Sequence, residues 1–333
     1  MSKISSYEWQ YMRILSDIYE EGYSDGVNER TGYATKRLPG RVLYVDLARE
    51  FPVLKSKFVA TKTALREILW IYQAQSNNIH DLKAHIWDSW ADENGSIGTA
   101  YGAQIRKPVN IYTDPVHKTS ESFRSYENQT KYVLEYLREF PNGRWANVTL
   151  WSVNDLYAMN LVPCCHTATW NLDGGRLNCV LDQRSGDMPY GVPFNTTQYA
   201  ELTILFARDL GVEPGILTHV IADAHIYANQ MEGVKEQLAM YYALRSIELF
   251  CMLPENASSA IKGAVELHNT RESNKEHQLT EKELTDMAMA ALNCTPEFVI
   301  DSDITDFFAI DADKCKVNDY YNMGKIDFGD VAV

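Results

Sequence analysis

The residues best suited to chemistry lie between Leu161 and Tyr199, where a nucleophile, an anion-binding side chain and an amide follow one another closely. Cys164 comes directly after Pro163, whose ring fixes its own φ and so helps to set the chain direction into the cysteine. The thiolate is the nucleophilic form of cysteine, and it adds to electron-poor carbon–carbon double bonds. Arg184 favours that thiolate if folding brings its guanidinium near. Cys164 is therefore a candidate covalent nucleophile if folding places it beside Arg184.

Polar side chains that follow the cysteine suit a nucleotide. Arg184 and Ser185 offer a planar fork and a hydroxyl, which is a good pair for phosphate. Asp187, when ionised, can only accept hydrogen bonds, so it suits paired N–H donors. Asn195 offers both a donor and an acceptor. Facing uracil, its amide accepts from N3–H and donates to O4, whereas cytosine presents the opposite pattern. The alternatives are a solvated turn for the charged residues and a helix cap at Asn195, before a helix from Thr196 onward.

Two neighbours of Cys164 leave another chemistry open. We interpret Cys165 as a neighbour and not as a second nucleophile. Residues two apart on a strand share a face, so His166 could serve as a base to Cys164. A cysteine paired with a histidine is typical of cysteine hydrolases. A cysteine among apolar residues is also often inert packing, so the residues alone do not decide between these readings.

Composition limits the classes of function. With 45% hydrophobic and 23% charged residues, the 333-residue chain has enough apolar material for a sizeable core. No run approaches the roughly 18 apolar residues of a membrane helix, and the N-terminus does not resemble a signal peptide. The six cysteines form no CxxC pair, which argues against a zinc site or a disulfide framework and favours a reducing compartment. We expect a cytoplasmic protein with no metal.

The charge of the chain restricts its partners. A formal net charge of −14 opposes non-specific binding to nucleic acid, because phosphates would be repelled. We predict neither DNA nor a membrane as a partner. A small anionic substrate would need a local cluster of arginines to overcome the same field.

Periodicity predicts the elements that must position these residues. An amphipathic helix is predicted over residues 1–27, with Tyr7, Tyr11, Ile14, Leu15 and Ile18 on one face. Further helices are expected at 61–75, 131–140, 198–210 (ending at Gly211) and through much of 231–291. Strands are expected at 42–49, 144–151, 176–183 and 219–227.

Several outlying residues are candidates for the same site. The loop 28–32 carries Arg30 and a glycine, a composition that suits an oxyanion. Glu67 lies in an apolar helical pattern, where it faces either solvent or a wet pocket that raises its pKa. Trp87 and Trp90 have a spacing that would place them on one helical face. Asp-x-His-x-Tyr at 223–227 places His225 and Tyr227 on one face of a strand, and both can bind a sugar hydroxyl.

Together these motifs resemble those of the thymidylate synthases. Pro163-Cys164, the run Gln183 to Asp187 and the run Gly191 to Asn195 match in type and order, and the resemblance covers roughly 1–235 and 300–333. It implies an α+β, three-layer fold around a large mixed sheet, dimerising through that sheet. It also implies a single catalytic domain over 1–333, with a probable helical insertion at about 236–298.

The resemblance implies a reaction and a set of roles. dUMP would be methylated reductively to dTMP, with 5,10-methylenetetrahydrofolate giving carbon and hydride. Cys164 would add to C6, Tyr101 and water ordered by Glu67 would help to remove the C5 proton, and Asn195 would read the base. Phosphate would be held by Arg30, Arg184, Ser185 and Arg144, the last donated across a homodimer interface. The 3′-hydroxyl would meet His225 and Tyr227, and folate would meet Trp87, Trp90, Asp187, Gly191 and the C-terminal Val333.

The sequence departs from the family pattern at two places. The usual Gly-Thr-Gly continuation is absent after Gly32, and Trp145 stands where a second arginine is common. Three alternatives therefore stay open: a pyrimidine nucleotide hydroxymethylase of the same fold, a cysteine hydrolase, and a non-catalytic nucleotide- or RNA-binding homologue.

Overall fold

A computed structural model describes residues 3–250, 257–272 and 277–331 of the chain. Its helices are α1 (Ser6–Glu21), α2 (Thr61–Tyr72), α3 (Gly102–Ile105), α4 (Gln129–Glu139), α5 (Gly191–Leu210), α6 (Met231–Phe250), α7 (Ala257–Arg271) and α8 (Glu281–Asn293). Its strands are β1 (Tyr23–Val27), β2 (Ala34–Asp46), β3 (Val109–Tyr112), β4 (Phe123–Tyr126), β5 (Asn147–Thr149), β6 (Cys165–Asp173), β7 (Arg176–Gln183), β8 (Gly186–Asp187), β9 (Glu213–Tyr227), β10 (Glu297–Ile300) and β11 (Cys315–Asn318).

One mixed sheet organises these elements. Its strands run in the order β1-β2-β9-β7-β6-β5, with β8 beside β9. The pairs of β9 with β7 and with β8 are parallel, and the other pairs in this sheet are antiparallel. This confirms the predicted α+β class with a large mixed sheet. The pairing also brings the start of β6, the ends of β7 and β9, and β8 to one end of the sheet, with Cys165 opposite Gln183 and Asp187 opposite His225.

The two faces of the sheet differ in burial. Leu43 and Val45 of β2 and Leu217 and Ile221 of β9 are buried on the face covered by α1 and α5. On the other face Val42 and Tyr44 are 49% and 53% exposed. Dimerisation through this sheet stays a prediction.

Several element boundaries differ from those predicted. α1 is capped by Ser5, whose side chain accepts from the backbone N–H of Glu8. It ends before Gly22, where a Cβ would come within 2.4 Å of the Ile18 carbonyl oxygen. The prediction of helix through residue 27 is therefore wrong for β1, which forms a hairpin with β2.

The start of α5 overturns another interpretation. The helix begins at Gly191, so Asn195 lies inside it and does not cap a helix from Thr196 onward. Pro193 is tolerated because it lies in the first turn, where its missing N–H costs nothing. The helix ends as predicted at Gly211, which adopts φ 69°.

The later part of the chain is helical, as its composition indicates. α7 and α8 pack on α6 and lie within the predicted insertion at about 236–298; that this segment is an insertion stays a prediction. Within the described residues, no helix is both long and apolar enough to cross a membrane. The five described cysteines carry free thiols, and a cytoplasmic location stays a prediction.

Candidate active site

A cavity of about 550 Å³ opens at the end of the sheet where β6, β7, β8 and β9 meet. It is lined by most of the residues singled out from the sequence: Arg30, Glu67, Trp87, Trp90, Tyr101, Cys164, Arg184, Ser185, Asp187, Gly191, Asn195, His225 and Tyr227. Arg144 is exposed and does not line it. Val333 lies outside the described residues, although Val331 reaches the cavity wall.

Cys164 is held by its neighbours at the entry to β6. Its backbone N–H donates to the Tyr101 hydroxyl at 3.3 Å, and its carbonyl accepts from the Arg184 backbone N–H at 2.9 Å. The Arg184 guanidinium donates through Nε to the Pro163 carbonyl at 3.0 Å and through Nη2 to the Val162 carbonyl at 2.8 Å. These bonds fix the guanidinium beside the chain segment that carries the thiol.

Burial and two arginines act in opposite directions on the thiol of Cys164. Burial raises the pKa of the Cys164 thiol, and Arg184 and then Arg30 oppose that rise without overcoming it. Arg184 thus favours the thiolate, as expected, but burial has the larger effect. The thiol must lose its proton when the nucleophile is needed, and the two arginines reduce the cost of doing so.

Glu67 faces the cavity and not solvent. Its Oε1 accepts from the Trp87 indole N–H at 2.8 Å, and its Oε2 accepts from the Gln198 amide at 3.0 Å. Burial raises the pKa of Glu67 to about 7, although both hydrogen bonds favour the ionised form. A carboxyl group that titrates near neutrality can take and return a proton.

Asn195 is connected to Glu67 through Gln198, a residue that the sequence analysis missed. The Asn195 amide nitrogen donates to Gln198 Oε1 at 2.9 Å, and Gln198 is only 2% exposed. The available signal was a polar side chain within the largely buried helix α5. Gln198 does not stand out in the sequence, because glutamine is a good helix former and is common in helices.

Tyr101 and the two tryptophans form one aromatic wall. Tyr101 adopts φ 47°, which is strained for a residue with a side chain and is common at functional sites. Its ring centroid lies 4.9 Å from that of Trp87, which lies 5.5 Å from Trp90. Trp87 precedes a short 3-10 turn, Asp88–Trp90, that ends at Trp90, and this turn is not the regular helix expected. The buried Trp90 Nε1 has no hydrogen-bond partner among the described residues.

Asp187 is fixed at the opposite wall. Both of its carboxylate oxygens accept from the Gln230 amide nitrogen, at 3.1 and 3.0 Å. Burial raises the pKa of Asp187, and His225 is the main group that opposes the rise. His225 and Tyr227 stand together, with ring centroids 4.9 Å apart. Gln230 is a second residue missed from the sequence, because it follows the His-x-Tyr strand without a motif of its own.

The cavity also collects positive charge in a strongly acidic chain. Arg30 lies in the turn between β1 and β2, where Asn28 Oδ1 accepts from the backbone N–H groups of Arg30 and Thr31 at 3.0 and 3.2 Å. Arg37 and Arg184 line the same cavity. This is the local arginine cluster that an anionic substrate would require.

His166 does not join Cys164 in the cavity. Its Nδ1 lies 2.9 Å from Thr167 Oγ1, and its ring lies 5.9 Å from that of Trp151. Cys165 is buried, and its thiol lies 3.4 Å from Gln183 Oε1. The geometry therefore removes the support for a Cys164–His166 pair. Among the described residues, no cluster of three or more histidine, cysteine, aspartate or glutamate side chains could hold a metal ion.

Comparisons with known proteins agree with this arrangement. The family model described as thymidylate synthase matches residues 9–256. The chain is similar to the thymidylate synthase of Clostridium beijerinckii, at 42% identity over 238 residues, covering 71% of this chain and 82% of that one. It is also similar to thymidylate synthase 1 of Bacillus subtilis, at 34% identity over 245 residues and with 71% and 84% covered. The solved structure of thermostable thymidylate synthase A from Bacillus subtilis matches with a TM-score of 0.70 and 28% identity, over 98% of this chain and 99% of that one.

Proposed function

The chain belongs to the thymidylate synthase family, and we propose that its reaction, the methylation of dUMP to dTMP, is carried by Cys164 through a covalent adduct at uracil C6. The observation that supports this assignment most strongly is the shared cavity. Cys164, Tyr101, Glu67 and Asn195 all line it, and Arg184 is bonded to the segment that carries the thiol. The relatives are named thymidylate synthases, which does not favour the hydroxymethylase alternative.

The proposed first step is addition of the thiolate to the ring. The Cys164 thiol transfers its proton to solvent water, and its sulfur forms a bond to C6 while the C5=C6 π pair moves toward C5 and O4. Asn195 can donate to O4 and accept from N3–H, which stabilises the charge that develops there. Arg30, Arg184 and Ser185 hold the phosphate, and His225 with Tyr227 faces the sugar hydroxyl.

The proposed second task is removal of the C5 proton after carbon transfer. Tyr101 donates no proton readily, because burial raises its pKa well above the usual value. Glu67, with a pKa of about 7, is the group suited to hold that proton, through water and the Tyr101 hydroxyl. Once the folate had supplied its hydride to the transferred carbon, the C5=C6 double bond would re-form, the Cys164–C6 bond would break, and the thiolate would be released with dTMP.

The family uses 5,10-methylenetetrahydrofolate as co-substrate, and the residues present fit a folate. The indoles of Trp87 and Trp90 offer flat surfaces for a pterin, and the unpartnered Trp90 Nε1 is a donor that a ring carbonyl could satisfy. Asp187 offers acceptors, and Gly191 leaves space beside it. We propose that these residues bind the folate, which supplies a one-carbon unit and a hydride, and that the C-terminal Val333 closes the site.

The homodimer is part of the proposal. Arg144 is exposed and does not line its own chain's cavity, so we propose that it contacts the phosphate bound by another copy. The half-exposed face of the sheet, with Val42 and Tyr44, offers the surface through which two copies would meet.

A folate-product assay tests the function. Incubation with dUMP and methylenetetrahydrofolate should raise the absorbance of dihydrofolate, whereas a hydroxymethylase would release tetrahydrofolate. Exchange of the dUMP C5 hydrogen in D2O tests the adduct without folate, because addition at C6 makes C5 basic. A binding protein without catalysis would show neither signal, and Cys164→Ser would then change nothing.

A further inference from the structure

A continuous chain of hydrogen bonds joins the aromatic wall to the group that reads the base. The Trp87 indole N–H donates to Glu67 Oε1 at 2.8 Å, and the Gln198 amide nitrogen donates to Glu67 Oε2 at 3.0 Å. The Asn195 amide nitrogen then donates to Gln198 Oε1 at 2.9 Å. Both ends of the Gln198 side chain are thus used inside a buried site.

Each link in this chain has a fixed direction. An indole N–H can only donate, and an ionised carboxylate can only accept. Gln198 must therefore turn its nitrogen to Glu67 and its oxygen to Asn195. If Asn195 were flipped, its oxygen would face the Gln198 oxygen, and two buried acceptors would be left with no proton between them.

We propose that Gln198 is a specificity-determining positioning residue, which passes the direction set by the Glu67 carboxylate to Asn195 and so holds Asn195 in the orientation that reads uracil. The inference rests on the proposed function, because it takes Asn195 as the residue that contacts the base. The Asn195 side-chain amide has nearly the same shape in its two orientations. The inference explains how Asn195 is restricted to one of them.

Replacing the carboxylate by an amide should reverse the direction of the hydrogen bonds from residue 67 to Gln198 and from Gln198 to Asn195. In Glu67→Gln the new side chain must keep its oxygen toward Trp87, which only donates, and so must turn its nitrogen to Gln198. Gln198 then turns its oxygen to residue 67 and its nitrogen to Asn195, giving up the weak 3.4 Å bond from its nitrogen to the Ala64 carbonyl, and Asn195 flips in response. Asn195 would now donate toward N3 and accept from a 4-amino group, the pattern that cytosine needs.

Other titratable groups around the cavity do not compete with Glu67 for this role. Tyr101, Cys164, Cys165 and Tyr199 face the same cavity, and burial raises the pKa of each. These groups are the same in the wild-type protein and in Glu67→Gln, so a difference between the two proteins can be assigned to the carboxylate.

The test is the ratio of the dissociation constants for dCMP and dUMP, measured by calorimetry on the full chain without folate and above the pKa of Glu67. The wild-type protein should prefer dUMP. Glu67→Gln should lower the ratio of the dCMP to the dUMP constant by about tenfold or more and shift preference toward dCMP. Gln198→Met removes the hydrogen bonds that link Glu67 to Asn195. It should lower the ratio of the dCMP to the dUMP constant without shifting preference to dCMP.

Gln129→Met is the matched control, because Gln129 is also buried and bonded at both ends of its amide, to Gln104 and Thr149. Its ratio should equal that of the wild-type protein. If dUMP binds but Glu67→Gln and Gln198→Met keep the wild-type ratio, the positioning role is wrong. If the wild-type protein does not bind dUMP, the proposed function fails instead. Should Gln198→Met not fold, Glu67→Gln, which keeps the side-chain shape, still decides.

Discussion

At the scale of single residues, the thiol of Cys164 is a nucleophile in a site that opposes its ionisation. Burial raises its pKa, while Arg184 and Arg30 favour the thiolate. Such a group stays protonated until substrate is present, which protects it from unwanted reactions. The neighbouring Cys165 is more deeply buried, and its pKa is raised further. The two adjacent thiols should therefore differ sharply in reactivity.

Cys164→Ser is expected to lower kcat by about 10³-fold or more, because a serine hydroxyl is a much weaker nucleophile near neutral pH. Cys165→Ser should keep kcat within about threefold, since its side chain packs behind the reacting group. Dihydrofolate formation and exchange of the dUMP C5 hydrogen measure both variants. Equal losses in the two variants would contradict the assignment of the nucleophile.

Glu67 should make the stability of the fold fall as pH rises. Its pKa is raised from 4.5 to about 7 in the folded chain because of burial. Below 4.5 the group is protonated in both states and costs nothing; above 7 the folded chain must bury the charge. Between about pH 5 and pH 8 this costs roughly 2–3 kcal/mol.

Glu67→Gln removes that titration. Its free energy of unfolding, relative to the wild-type protein, should therefore increase by the same amount over this pH range in denaturant titrations. Its kcat should fall by about 10²-fold or more, because the group that holds the C5 proton is gone. A difference in stability that does not change with pH would show that the pKa of Glu67 is the same in the folded and the unfolded chain, so that burial does not raise it.

At the scale of elements, periodicity located most of the helices and strands that carry the site. β7 was predicted with its observed bounds, because RLNCVLDQ alternates along a strand. β1 was missed because YSDGV contains Asp and Gly, and its pairing with β2 comes from tertiary contacts and not from its own propensity. The start of α5 was placed too late because Gly191 and Pro193 suggest a turn in sequence.

The two glutamines of the site show why motifs alone were not sufficient. Gln198 and Gln230 bind Glu67 and Asp187, but each acts through a residue distant in sequence. Helix α2 must meet α5, and β8 must meet β9, before either contact exists. The glutamine side chain is uncharged and does not titrate, so nothing in the sequence distinguishes Gln198 and Gln230 from surface glutamines.

The C-terminal segment is an element whose docking should control folate binding. The Tyr190 hydroxyl donates to the Gly329 carbonyl at 2.8 Å, and the Asn229 amide donates to the Asp330 carbonyl at 2.9 Å. Phe328 is 1% exposed, and its ring centroid lies 5.4 Å from that of Tyr190. These contacts hold Val331 at the cavity wall.

Phe328→Ala should release this segment, since it removes a fully buried ring at a cost of about 3 kcal/mol. We expect KM for the folate to rise by about tenfold, while the dissociation constant for dUMP without folate changes little, because none of the hydrogen bonds that hold Arg184 and Asn195 involves Phe328. Phe123→Ala, at a 41% exposed ring, is the control. A larger loss in dUMP affinity than in folate KM would contradict a role in folate binding.

At the scale of the whole molecule, the net charge and the site have opposite signs. The chain carries a formal charge of −14, yet Arg30, Arg37 and Arg184 line the cavity. A fourth arginine, Arg144, lies on the surface of the same chain, next to Trp145, which is 43% exposed. If two copies meet through the open face of the sheet, each can complete the phosphate site of the other.

Mixing two inactive variants tests that arrangement. Cys164→Ser keeps Arg144, and Arg144→Ala keeps Cys164, so a heterodimer has one complete site and one that lacks both groups. Random exchange of equal amounts should restore about a quarter of wild-type activity, because half of the dimers are mixed and each has one working site. A mixture of wild type with the Cys164→Ser/Arg144→Ala double variant is the control, since its heterodimers have no complete site. Adding Tyr44→Glu to both single variants should abolish the recovery of activity, because it places a charge on the open face of the sheet. If the mixture has only the summed activity of the two variants measured separately, Arg144 does not act across the interface.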